Sequence, residues 1–149
     1  MIRKGLAVSL ALALLLGICS AAAEVDVRYG GATYRMALQN LTVGKMLLVE
    51  ILCEGDQLPR SAFGNTVSIA SAGAVFEDGT EDRSTMVLLE PQDGTTMKYT
   101  FFFLGRTELP KVILLYPEDD RENALLLWQE GEDIPGKAAP AEDTAGDPA

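Results

Sequence analysis

Nine short apolar runs, each bounded by turn-forming residues, fill the chain between residues 25 and 129. Short runs at this spacing are typical of the strands of an all-β sandwich or barrel. We therefore predict an all-β fold, an antiparallel β-sandwich. The predicted strands are 25–29, 33–41, 45–54, 66–71, 74–78, 85–90, 97–105, 111–116 and 124–129.

Two of the intervening loops have the composition of hairpin turns. The segment 89–97, LEPQDGTTM, places Pro91 early and Asp93-Gly94 late. These are residues that hairpin loops favour. The segment 117–123, PEDDREN, lies between two strongly apolar strands and predicts a second hairpin.

Alternation within the runs predicts which side chains face the core. In 45–54 one face is wholly apolar, and it carries Leu47, Val49, Ile51 and Cys53. Cys53 is therefore expected to be buried and to behave as a small apolar residue. A helix over 44–56 stays an alternative, because short apolar runs fit both periods.

Two further strands differ in how many of their faces are apolar. In 97–105 the face with Tyr99, Phe101 and Phe103 is expected to point inward, because the other face carries Lys98. The run 111–116 is apolar on both faces, so we predict a central strand that is covered on both sides.

The first 23 residues have the order of an export signal. A basic start is followed by an apolar run over 5–18 and then by small residues. The apolar run is shorter than the ~20 residues that a membrane span needs. We therefore predict a signal peptide over 1–23, no stable membrane span after processing, and a secreted or extracytoplasmic location.

Two cleavage positions compete in the stretch LLLGICSAAAEVD. Lipid anchoring at Cys19 requires a small residue before the cysteine, and Ile18 is branched. Ala21 and Ala23 instead supply the small-x-small pattern of ordinary signal peptidase. Cleavage before Glu24 is therefore the favoured prediction, and Cys19 would then leave with the leader.

The processed chain is strongly acidic. Residues 24–149 carry ten basic and 22 acidic side chains, a net charge of −12. Nucleic acid is disfavoured as a partner, because that affinity depends on lysine and arginine neutralising phosphates. Acidic charge also keeps exported proteins soluble.

The residue types needed for common active sites are missing. The chain has no histidine, and Cys53 is the only cysteine after the predicted cleavage. Histidine-based catalysis, histidine- or thiolate-bound zinc and redox pairs are therefore excluded. We predict no enzyme activity, no cofactor and no metal, with a carboxylate-based hydrolase as a remote alternative.

Two acidic loops, 77–82 and 117–120, are candidates for calcium sites. Calcium takes six to eight oxygen ligands, and neither loop has the spacing of a calcium-binding motif. Acidic turns on an acidic protein are more often simply solvated, so no calcium site is assigned.

Exposed aromatic side chains are better candidates for binding. Core positions are expected for Tyr29, Tyr34, Phe76 and Trp128, because large apolar residues are mostly buried. Phe63 differs, since it lies in a predicted loop beside Arg60. We identify Arg60 and Phe63 as a possible binding loop, because loops carry recognition.

The composition changes after residue 130. The segment 131–149 is rich in proline, glycine, alanine and acidic residues, and Ile134 is its one large apolar residue. It cannot bury enough surface to fold, and it is predicted to be a disordered acidic tail. The predicted domains are therefore the leader 1–23, the sandwich 24–130 and the tail 131–149.

The second half of the domain resembles a family. The pattern consists of Asp78-Gly79, Phe101 with Phe103, Leu109-Pro110 and Leu114 with Tyr116. It is similar to small immunoglobulin-like domains of secreted proteins and lipoproteins of Gram-positive bacteria. The resemblance covers about 45 residues and implies an immunoglobulin-like sandwich of unassigned activity.

The function that these features favour is binding. We expect a non-enzymatic exported domain that binds an envelope or extracellular protein or a polysaccharide through its loops or a sheet edge. The alternative is an accessory or chaperone-like subunit of an envelope or secretion system, which would need an exposed apolar sheet face.

Overall fold

The computed structural model describes residues 23–134. These residues contain no helix and form nine strands, which confirms the all-β prediction. The strands are β1 (Glu24–Tyr29), β2 (Ala32–Val43), β3 (Leu47–Glu54), β4 (Ala70–Val75), β5 (Glu81–Arg83), β6 (Met86–Pro91), β7 (Thr96–Phe103), β8 (Val112–Pro117) and β9 (Leu125–Gln129).

The strands form two sheets in which every pairing is antiparallel. The larger sheet has five strands in the order β1-β2-β3-β7-β6, and the smaller sheet has four in the order β5-β4-β8-β9. The chain crosses between the sheets three times, after β3, after β5 and after β7. Both sheets contribute to one hydrophobic core, so the architecture is sandwich-like.

Alternation on β3 and β7 builds the larger sheet's side of this core. The face of β3 predicted to point inward is buried, Cys53 included. It pairs with the aromatic face of β7, with Val49 opposite Phe101 and Ile51 opposite Tyr99. Full burial of one large apolar side chain of this kind stabilises the folded state by about 1.5–3 kcal/mol. The alternative of a helix over 44–56 is therefore wrong. The apolar pattern of this segment fits both a helix and a strand, and pairing with β2 and β7 selects the strand.

Strand β8 confirms the prediction of a covered central strand. It lies between β4 and β9, and all six of its residues are buried. Ile113 and Leu115 point into the main core. Val112, Leu114 and Tyr116 form a second apolar cluster on the outer face of the smaller sheet.

Strand β4 differs from the sequence-based prediction. The segments 66–71 and 74–78 were predicted as two strands, but Ala70–Val75 is one strand that includes Gly73. Gly73 lies inside the strand and does not form a turn. It allows Tyr116 to approach closely, since a Cβ at this position would lie 2.9 Å from the Tyr116 ring. The short β5 was missed because its three residues, Glu81–Arg83, are all charged.

Both predicted hairpins are confirmed. The β6–β7 ladder extends to Pro91 opposite Met97 and closes with a turn at 92–95. Strands β8 and β9 pair around the loop 118–124.

The first residues of the predicted sandwich domain are part of the larger sheet. Ala23 is buried, and its carbonyl accepts a hydrogen bond from the Leu38 N–H at 2.9 Å. Glu24 begins β1. The rest of the predicted leader, with Ala21 and Cys19, lies outside the described residues. Residues 23–134 contain no helix that is long and apolar enough to cross a membrane.

The first residues of the predicted tail contact the domain. The Trp128 Nε1–H donates to the Glu132 carbonyl at 3.0 Å. Ile134 packs against the main core. Residues 135–149 lie outside the described part of the chain.

Candidate functional site

Four connections meet at one end of the two sheets. They are the β1–β2 turn (30–31), the β3–β4 loop (55–69), the β6–β7 turn (92–95) and the β8–β9 loop (118–124). Strand pairing places them together, because the end of β3 at Glu54 pairs with Arg35 of β2 and Thr96 of β7. We call this set the loop end.

Hydrogen bonds between connections hold the loop end together. The Gly30 N–H donates to the Asp119 Oδ2 at 2.8 Å, which links the larger sheet to the smaller one. The Glu118 N–H donates to the Ile69 carbonyl at 2.8 Å. The loops therefore have positions fixed by the framework, as a binding surface requires.

Arg60 and Phe63 both lie in the β3–β4 loop, as predicted. Arg60 pairs with Thr66 in an isolated antiparallel bridge, which makes residues 60–66 a small hairpin of their own. The Arg60 Nη1 donates to the Gly64 carbonyl at 2.8 Å. Arg60 therefore supports the hairpin with its side chain, a role that its position in the sequence did not indicate.

The tip of this hairpin is ordered around one serine. The Ser61 Oγ accepts hydrogen bonds from the Phe63 N–H at 3.1 Å and the Asn65 N–H at 3.3 Å. Gly64 has φ of +86°, a left-handed conformation that glycine adopts without strain. These contacts present Phe63 at the tip with 91% of its surface exposed.

Phe63 differs from the other aromatic candidates in its exposure, as the sequence predicted. Tyr34, Phe76 and Trp128 are buried in the main core, and Tyr29 packs against it. Five large apolar side chains are exposed within residues 23–134, and Phe63 is the aromatic one among them.

A shallow cleft lies beside the hairpin turn of β1–β2. It has a volume of about 390 Å³. Val27, Pro117 and Leu125 line its apolar part. Its polar groups are Asp26, Arg28, Asp119, Asp120 and Asn123.

Internal hydrogen bonds occupy part of this polar rim. Both Asp120 carboxylate oxygens accept from the Asn123 Nδ2, at 2.8 and 2.9 Å. Three aspartates against one arginine give the rim a negative charge, which disfavours phosphate-bearing ligands. The cleft is better suited to a ligand with hydroxyl or amino groups than to one with phosphate groups. The sequence did not indicate this cleft, because its two walls are about 90 residues apart and no local pattern joins them.

The acidic loop 77–82 uses its carboxylates within the fold. The Asp78 Oδ1 accepts from the Thr80 N–H and hydroxyl, which lowers the pKa of Asp78. Asp82 forms an ion pair with Arg106 at 2.6 Å, and Glu77 lies 3.3 Å from Lys111. No group of three or more acidic, cysteine or histidine side chains in 23–134 is arranged to hold a metal ion.

Cys53 is buried beneath the larger sheet. Burial raises the pKa of its thiol to about 12, so the thiol stays protonated at neutral pH. Nucleophilic and metal-binding chemistry requires the thiolate. Cys53 therefore acts as a core side chain.

Comparisons with protein-family models, curated proteins and solved structures find no match for this chain.

Proposed function

We propose that this chain is an exported, non-enzymatic binding domain that recognises an envelope or extracellular partner through its loop end. The observation that carries the proposal is Phe63, 91% exposed at the tip of a hydrogen-bonded hairpin. An aromatic ring in water is unfavourable, and rigid aromatic anchors dominate many interfaces. The partner is a protein or a polysaccharide of the bacterial cell envelope.

The architecture supports this proposal. Four connections from two sheets converge, and hydrogen bonds join the β8–β9 loop to the β1–β2 turn and to the β3–β4 loop that carries Phe63. We also propose that the two sheets form an immunoglobulin-like sandwich, a framework that commonly presents recognition loops at one end. The three crossings between sheets and the single shared core support this finer assignment.

The export part of the proposal rests on the leader. The basic start, the apolar run and the small residues up to Ala23 are typical of a secreted chain. An extracytoplasmic domain with an acidic surface disfavours nucleic acid and favours neutral or basic partners.

Substitution of Phe63 tests the binding proposal. Affinity capture with the purified domain from envelope extract should recover a partner, and Phe63→Ala should weaken that binding at least roughly tenfold, since an anchor residue contributes about 2 kcal/mol or more. The folded state should be unaffected, because the side chain is exposed.

Leu109→Ala is the matched control. Leu109 is 61% exposed and lies in the β7–β8 connection, at the opposite end of the sheets. It should leave binding unchanged. Equal loss from both variants, or no recovered partner from the wild type, would contradict the proposal.

A further inference from the structure

Among the edge strands of residues 23–134, β6 has the longest stretch without a protecting feature, and Pro91 protects only its end. On one side of the sandwich the edges β1 and β9 pack beside each other. On the other side the edges are β5 and β6. Strand β5 is short and fully charged, which are two of the devices that protect an edge. Strand β6 has six residues, no register irregularity against β7, and one charged side chain, Glu90.

An apolar patch accompanies this edge. Met86 and Leu88 are 55% and 46% exposed on β6, and Leu104 is 52% exposed. The Leu104 N–H donates to the Thr85 Oγ1 at 3.2 Å, which places Leu104 beside the start of β6. Met86 is paired with the half-buried Phe102, so the apolar surface continues onto β7. We call Met86, Leu88, Phe102 and Leu104 the β6 patch.

The patch differs in charge from the rest of the molecule. Residues 23–134 carry nine basic and 19 acidic side chains. Next to the patch, Lys98 lies 3.8 Å from Glu50, so these two charges offset each other. A basic partner gains little here, whereas two acidic copies of the chain can meet at this edge with little charge repulsion.

The backbone of β6 has free hydrogen-bonding groups in the right places for self-pairing. The Gln92 N–H donates to the Thr96 carbonyl of β7. Antiparallel ladders alternate, so Glu90, Leu88 and Met86 also direct their backbone groups to β7. Val87 and Leu89 therefore direct theirs to the free edge.

We infer that two copies of this chain associate through β6, antiparallel, with Leu88 opposite the Leu88 of the second copy. In this register Val87 and the second copy's Leu89 exchange hydrogen bonds, and Met86 lies opposite Glu90. No two carboxylates face each other. Pro91, which has no N–H, lies at the end of the shared ladder. The result is a continuous sheet through both copies, with the loop ends left free.

Analytical ultracentrifugation over a dilution series tests the inference. The purified protein should show a concentration-dependent dimer. Leu88→Glu places two carboxylates opposite each other and should weaken the dimer at least about tenfold, roughly 1.4 kcal/mol. The side chain is exposed, so thermal unfolding monitored by circular dichroism should show the same folded state.

A cysteine scan supplies an independent readout. Leu88→Cys should form a disulfide between two copies under mild oxidation, because directly opposite Cβ atoms in such a pair lie about 4.5–5.5 Å apart. Leu109→Cys, at a site of similar exposure, should not. Monomeric wild-type protein at every concentration, equal cross-linking of both variants, or capture of a different protein at β6 would overturn the inference. These outcomes leave the Phe63 experiment unaffected, so the two proposals fail separately.

Discussion

Gly73 illustrates how one residue can be fixed by a neighbour in space. The Tyr116 ring lies against Gly73. The guanidinium of Arg83, a residue of β5, lies 3.4 Å from the centroid of that ring. The Tyr116 hydroxyl donates to the Glu81 carboxylate. Since the ring is held in this way, it cannot easily move away from a larger residue at position 73.

We expect Gly73→Ala to destabilise the domain by roughly 1–3 kcal/mol through overpacking. The new Cβ would lie 2.9 Å from the Tyr116 ring. Gly94→Ala is the control, because a Cβ there meets open space and its φ is not positive. Its effect should stay within about 0.5 kcal/mol. Urea unfolding measures both, and equal stability of the two variants would show that the ring yields.

At the level of elements, the β6–β7 hairpin depends on Asp93. The Asp93 Oδ1 accepts hydrogen bonds from the Thr95 N–H at 2.8 Å and from the Thr96 N–H at 2.9 Å. These bonds favour the charged carboxylate and lower the pKa of Asp93. They fix the turn that brings β6 and β7 into register.

Asp93→Ala should therefore lower the melting temperature at neutral pH, whereas Asp93→Asn, which keeps an acceptor oxygen, should lower it less. Because the folded-state pKa is depressed, this stabilisation is present above the unfolded pKa of about 3.8 and is lost as the pH falls through the folded value. The wild type should fall to the stability of Asp93→Asn in acid, because a protonated Asp93 keeps only an uncharged acceptor oxygen. A constant difference between them across the whole pH range would contradict this explanation.

For the molecule as a whole, stability rests on one apolar core shared by two sheets. Cys53 is a free thiol in the described part of the chain. The acidic side chains of the loop 77–82 pair with basic and hydroxyl groups of the same domain. Neither a cross-link nor an ion is needed to explain a folded domain of this size.

We expect the melting temperature of the processed protein to be unchanged by EDTA, by added calcium and by a reducing agent, because none of them acts on the core. Circular dichroism during heating provides the measurement. A calcium-dependent rise would mean that an acidic loop is a binding site, since a ligand that binds only the folded state raises stability by mass action. A helical spectrum would contradict the fold itself.

The sequence by itself determined the local features of this protein. Alternation identified the inward faces of β3 and β7, apolar residues on both faces identified β8 as central, and Asp93-Gly94 identified a hairpin. These features depend on the period of a strand and the chemistry of a turn, which neighbouring residues encode. Phe63 was singled out on the same basis, because a large aromatic residue in a polar loop is a local contrast.

Only the tertiary structure decided which distant residues meet. The two strands predicted over 66–71 and 74–78 left Gly73 between them, because Tyr116, which needs the space at Gly73, is 43 positions away. The cleft between Asp26 and Asp119 and the free edge at β6 follow from strand order. Strand order is set by packing two sheets on one core, and many orders are compatible with the same local pattern.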